Sequence, residues 1–274
     1  MRPREASGSI RALTDLADRH QVHGRYAEAQ ATFRRTLALA EQRCGPDALE
    51  TAAVLNNLAV TLKYTGGFAE AEHLYRRALA IMQRELGDCH PDVATLCHNL
   101  GGLEHARGNY AAAEEPARRA VAIRASVRAD DHPELAADRA ALAAILDGLG
   151  QHDEAEALLH AALRAFEAVF GGEHYEIASC LNNLAAIRYR RGATAEAEAL
   201  YRRALAIKET LLGPDHAELA TLLNNLAVLA TARADHAEAA GLYRRALALL
   251  EPAVTPDHPN LRTCRRGLAA AIDT

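Results

Sequence analysis

One period governs the chain. The string Leu-Asn-Asn-Leu-Ala occurs at 55–59, 181–185 and 223–227, the last two copies 42 residues apart and the first two separated by three such steps. Cys-His-Asn-Leu-Gly at 97–101 fills an intermediate step. Tyr-Arg-Arg-Ala-Leu-Ala starts at Tyr75, Tyr201 and Tyr243, and Phe-Arg-Arg-Thr-Leu-Ala starts one step earlier at Phe33. Alanine keeps the same step at 29, 71, 113, 155, 197 and 239. Glycine keeps it at 24, 66, 108, 150 and 192, until Ala234 breaks the series. A constant spacing without insertions makes each period one supersecondary unit. The units run 9–50, 51–92, 93–134, 135–176, 177–218 and 219–260, and 261–274 restarts the first element.

Within a unit the apolar positions recur at helical spacing. Val54, Leu55, Leu58, Ala59 and Leu62 share one face, and Ala71, Leu74, Tyr75, Ala78, Leu79 and Ile81 share another. Gly66-Gly67 separates the two helices and Gly87 stops the second. His90-Pro91-Asp92 opens the next unit, with proline suited to a first turn where its missing N–H costs nothing. Pro133 and Pro259 recur at the same place, and no β-rich run exists. The expectation is all-α: six two-helix units and one closing helix, thirteen helices in a single domain spanning 1–274. Ala59, Gly101, Ala143, Ala185 and Ala227 are small enough to let the helices of a hairpin approach closely. One hairpin cannot bury both of its apolar faces, so the units must stack as a solenoid, first helices on the concave side and second helices on the convex side. Leu261, Leu268 and Ile272 make the closing helix only partly apolar. Pro116, inside a second helix, is expected to kink that helix or delay its start.

Composition removes several function classes. The net charge of −5 disfavours a basic nucleic-acid binder, and 4% aromatics with no Trp is thin for stacking on bases. No apolar run is long enough to span a bilayer, and the first ten residues lack a secretory apolar stretch. Five scattered cysteines read as free thiols in a reducing compartment, hence a cytoplasmic protein with no membrane partner. GxxxxGK[ST], GxGxxG after a strand, HExxH and GxSxG are all missing, so neither an enzyme nor a cofactor is expected. The histidines at 90, 132, 174, 216 and 258 recur one per unit, too far apart for zinc and better placed to cap the helices that follow them. The Arg pairs at 34–35, 76–77, 118–119, 202–203 and 244–245 have glutamates at helical spacing and read as an ion-paired surface. Cys97 falls on a core position.

The pattern resembles the tetratricopeptide repeat, in the 42-residue form of kinesin light chains and many bacterial proteins. Leu-Asn-Asn-Leu-Ala, the turn glycine, the stretches at 69–81 and 195–207, and the linkers at 86–92 and 212–218 carry the resemblance. It implies a right-handed superhelix, an α-solenoid that binds a protein or peptide ligand in its concave groove. It also implies groove positions for the second Asn of each pair: Asn57, Asn99, Asn183 and Asn225, with Ala141 interrupting the row. A carboxamide has donors and an acceptor, so a row of them suits the backbone of an extended peptide. The alternative is that these residues bond neighbouring helices and hold the stack. Asn56, Asn182 and Asn224 are either structural or line the groove's edge. Lys63, Tyr64, His98, His105, Tyr189 and Arg190, with Thr95, Ser179 and Thr221, are further groove candidates, Lys63 and Arg190 favouring a carboxylate. In the fourth unit Ala140-Ala141 and Asp147-Gly148 either leave a bare stretch for a bulky ligand group or are drift of the repeat. The carboxylate clamp of chaperone-tail binders is missing, since its positions hold Thr14, Asp18, Thr95 and Asn99. The runner-up reading is a self-assembling or regulatory module of a larger signalling system, the partner then being a second copy of the chain.

Overall fold

Each helical hairpin turns on one residue in the left-handed region. After the helix that ends at Tyr64, Gly66 takes φ +81°, its N–H bonds the carbonyl of Lys63, and the N–H of Gly67 bonds that of Leu62. This is the double closure that ends a helix cleanly and sends the chain back antiparallel. Ala234 repeats the closure in the sixth unit, at φ +61° and with a Cβ that disfavours it.

The computed structural model describes residues 3–252 and 259–272. Among them are thirteen α-helices and no strand. The first hairpin is α1 (Pro3–Val22) with α2 (Tyr26–Cys44), followed by α3 (Leu49–Tyr64) with α4 (Phe68–Leu86) and α5 (Pro91–Ala106) with α6 (Tyr110–Val127). Then come α7 (Pro133–Gly148) and α8 (His152–Phe170), α9 (Tyr175–Arg190) and α10 (Thr194–Leu212), α11 (Leu219–Ala232) and α12 (His236–Leu250), and α13 (Pro259–Ile272). The helices gather into two compact units, one of Met1–Ala129 with Gly148–Gly150 and the other of Asp130–Asp147 with Gln151–Thr274.

The first unit is built around Leu55, Leu58, Leu62, Tyr75, Ile81, Leu96 and Leu103, all essentially closed to solvent. The expected faces of α3 and α4 are inward, with Leu79 only partly covered. Cys97 is buried as a small hydrophobe. The two helices of the third hairpin approach closely at Gly101, where a Cβ would lie 3.2 Å from that of Ala117 and 3.3 Å from the carbonyl of Ala113. In the second unit Leu219, Leu223, Tyr243, Leu261 and Cys264 share a core, and Leu268 packs against it. Ile272 does not help to seal this end, because it is 57% exposed.

Polar contacts repeat with the period. The Nδ1 atoms of His90, His132, His174 and His216 accept the backbone N–H two residues on, at 3.2, 3.2, 3.3 and 3.3 Å. His90 and His174 are thereby the N-caps of their helices, and His132 and His216 make the same local bond; His258 lies outside the described residues. Arg107 bonds Glu72, Arg191 bonds Glu156 and Arg233 bonds Glu198, the same clasp three times between one hairpin and the next. The paired arginines carry glutamates as expected: Arg76 with Glu72, Arg118 with Glu114 and Arg202 with Glu198 within a helix, and Arg77 with Glu41, Arg203 with Glu167 and Arg245 with Glu209 between helices. Pro116 does not delay α6, which starts at Tyr110 and runs unbroken to Val127. The helix forgoes one backbone bond there and is held by buried Ala113, Ala117 and Ala120.

Candidate functional site

The first helix of each hairpin is apolar on the side facing its partner, so its polar residues collect on the opposite face. That face holds the two Asn-Asn pairs of α3 and α9. In the first unit Asn56 Nδ2 donates to Asn57 Oδ1 at 3.1 Å, and Asn99 Nδ2 donates to Asn56 Oδ1 at 2.8 Å. The second unit repeats the relay: Asn182 to Asn183 at 3.1 Å and Asn225 to Asn182 at 3.2 Å. The first Asn of each pair thus bridges two helices, and it does so through side chains rather than through backbone. Each relay has open ends, the amide N–H₂ of Asn57 and the carbonyl of Asn99, and likewise those of Asn183 and Asn225. Turning all the amides of a relay over exchanges the ends but still leaves one donor and one acceptor.

In the second unit the relay borders a cavity of about 360 Å³ between α9 and α11. Ser179, Thr221 and Leu222 line it beside Asn182 and Asn183. Tyr175 closes one end, its hydroxyl donating to Glu218 Oε2 at 2.8 Å. Lys208 Nζ reaches the same oxygen at 3.2 Å and lies 4.3 Å from the centre of the Tyr175 ring. Burial works against the Glu218 carboxylate, but the bonds from Tyr175 and Lys208 outweigh it and hold its pKa below the usual range. Nothing in the repeat pattern singles out this trio. Its one signal is that Tyr175 stands where Pro91 and Pro133 stand in other units.

Arg190, on the same face of the second unit, is occupied: its guanidinium bonds both oxygens of Asp147 at 2.6 Å. Tyr189 is half-buried beside it. Asp147 also meets His152 Nδ1 at 3.0 Å, and a Cβ on Gly148 would fall within 2.6 Å of the Tyr110 ring. The stretch expected to be bare at Asp147-Gly148 is therefore filled, by a salt bridge and by an aromatic ring.

Lys63 in the first unit is different. It is half-buried, and among the described residues neither a carboxylate nor a hydrogen-bond acceptor answers its ammonium. Its neighbours are the ring of Tyr64, 5.4 Å from Nζ, and the backbone of Gly102 on α5. Burial pulls its pKa down. Tyr64 is 60% exposed and stacks on Tyr26 with ring centres 5.8 Å apart. His105, one turn beyond Gly102, meets Tyr110 edge-on at 5.4 Å, and its pKa is lowered by burial and then by the charge of Lys63. His98 is half-buried on α5 one residue before Asn99. Among the described residues no group of three or more His, Cys, Asp or Glu side chains is placed to hold a metal ion, and no helix is long and apolar enough to cross a membrane.

The sequence profile of the tetratricopeptide repeat matches residues 9–84, 64–126, 92–168, 133–210 and 195–252. No curated protein matches the chain in sequence. Among solved structures, BtubC (BKLC) from P. vanneervenii superposes with a TM-score of 0.64 at 25% identity, over 91% of this chain and 94% of that one. A putative kinesin light chain of Podosopora anserina with nearly identical TPR-like repeats gives 0.61 at 25% identity, over 74% and 97%. The apo form of RapI gives 0.66 over 97% of both chains, but at 14% identity that likeness concerns the fold alone.

Proposed function

This chain belongs to the tetratricopeptide-repeat family, and on that premise we propose that it is a non-enzymatic scaffold holding an extended peptide segment of a partner protein against its first helices. Proteins of this fold generally mediate protein–protein interaction. The observation that supports the finer reading is the pair of open ends on each asparagine relay. Asn57 and Asn183 offer an N–H to a peptide carbonyl, and Asn99 and Asn225 offer a carbonyl to a peptide N–H. Main-chain recognition of this kind gives affinity, while the cavity beside Asn182 and the groups around Lys63 give side-chain preference. Arg190, neutralised by Asp147, takes no part. We place the protein in the cytoplasm, in keeping with its five free thiols.

The test is peptide display on the purified chain beside N57D/N183D. Aspartate keeps the oxygen that accepts from Asn56 or Asn182 and deletes only the outward donor, so the relay survives. Affinity for the enriched peptides should fall about 10- to 100-fold, the effect of leaving a buried acceptor unpaired. Unchanged affinity in a variant that melts like wild type would overturn the reading. Self-association is the second reading, and the exposed Val169, Phe170, Leu211 and Ile272 of the second unit favour it. Mass that rises with concentration, together with a display that enriches nothing, would put it first.

A further inference from the structure

The cavity of about 360 Å³ between α9 and α11 is lined by two full charges, and they answer each other. Lys208 Nζ bonds Glu218 Oε2 at 3.2 Å, and the Tyr175 hydroxyl donates to the same oxygen at 2.8 Å. The ammonium also lies over the Tyr175 ring, 4.3 Å from its centre, so the trio is tied together from three helices. These bonds hold the Glu218 carboxyl below the usual range, so the carboxylate stays ionised at neutral pH and the lining carries no net charge. Hydrogen-bonding capacity is left over all the same. Glu218 Oε1 accepts from no described residue, and Asn183 keeps the open end of its relay. The Thr221 hydroxyl stands on the same wall. The volume is at the small end for ligand clefts, which suits one side chain rather than a whole ligand.

The chemistry of the guest follows from that lining. A carboxylate entering the cavity would face Glu218, and an ammonium would face Lys208. An apolar group would cover the open ends of Glu218 and Asn183 without bonding either. A carboxamide is neutral and carries donors and an acceptor on one planar group. Its N–H₂ suits Glu218 Oε1, and its carbonyl suits the free N–H of Asn183. Turning the asparagine relay over is matched by turning the guest over, with the Thr221 hydroxyl then serving its carbonyl. We propose that this cavity is the subsite for one carboxamide side chain, Gln or Asn, of the bound peptide. This rests on the reading of the first-helix face as the ligand face.

The probes are acetylated, amidated Ala-Gln-Ala and its counterparts with Glu, Lys or Leu in the middle. Each is titrated into the full chain and followed by NMR at the side-chain amide signal of Asn183, which N183D identifies by its loss. The Gln tripeptide should bind about 10-fold more tightly than the other three, the worth of one or two hydrogen bonds. K208M, an apolar replacement of similar length, leaves Glu218 as the one charge of the lining, and the Lys tripeptide should then bind first. E218Q leaves Lys208 alone, and the Glu tripeptide should bind first. Preference is read as a ratio within one variant, so a general loss of stability does not imitate it. No saturable shift, a wild-type preference for the Glu, Lys or Leu tripeptide, or an order that K208M and E218Q leave unchanged would overturn the subsite. N57D, in the first unit and outside this cavity, tests the scaffold reading by itself. Display-selected peptides that still lose affinity in N57D would leave that reading standing when the subsite fails, so the two failures are separable.

Discussion

Asn99 on α5 donates to Asn56 on α3 at 2.8 Å across 43 residues, one more than the repeat. The same offset joins Asn225 to Asn182, Arg190 to Asp147 and Tyr175 to Glu218. A residue on a first helix therefore meets not its own equivalent in the next repeat but the position beside it. For that reason the two asparagines of a pair have different duties.

The bridging asparagine carries no open end, yet its loss should be felt at the ligand. N56A removes a donor to Asn57 and an acceptor for Asn99, and should cost about 1–2 kcal/mol of stability because both partners remain half-wetted. Freed of their common anchor, Asn57 and Asn99 lose orientation. Calorimetry with a display-selected peptide should show weaker binding even where N56A is fully folded, and unaltered affinity would make the relay purely structural.

Ala234 is the only described non-glycine residue with positive φ, at the turn where the equivalent units have glycine. A234G should stabilise the chain by about 0.5–1 kcal/mol, relief of the left-handed penalty outweighing glycine's extra freedom when unfolded. G66A should cost about 1 kcal/mol for the converse reason. Thermal melts of the two variants should move in opposite directions.

Lys63 should be a liability to the fold. Its pKa is lowered by burial, so the folded state binds a proton at this site less readily than the unfolded chain. Stability should rise with pH between the lowered folded value and the unfolded value near about 10.4, where the unfolded chain holds the extra proton. K63M should therefore melt above wild type at neutral pH and lose that advantage in alkali. A K63M melting point at or below that of wild type at neutral pH would mean that the ammonium is satisfied in solution.

Glu218 supplies the opposite sign. Its carboxyl is held low despite burial, by Tyr175 and Lys208, so its contribution is present above the unfolded value and lost as pH falls through the folded one. Y175F removes the hydroxyl and moves the folded value back up. Denaturant unfolding from neutral to acid pH should show about 0.5–1 kcal/mol less stability near pH 7 and a shallower acid-side decline.

Sequence alone determined the helices, their number and the places where the chain turns, because these follow from local rules repeated six times. Apolar spacing fixes which face of α3 or α4 is inward; Gly66 and Gly87 end those helices; His90 starts the next through a bond two residues away. The same periodicity placed Asn57, Asn99, Asn183 and Asn225 on one kind of face. It could not say what those side chains touch, because contacts between first helices run at an offset that depends on how the helices cross. Only the tertiary structure decided that Asn56 and Asn182 are bridges, that Asp147 captures Arg190, that Tyr110 fills the space over Gly148, and that Lys63 is left with an unanswered charge. Repetition selects the side chains that build a hairpin; which polar groups find partners is settled where neighbouring hairpins meet, and there each residue's surroundings differ from one repeat to the next.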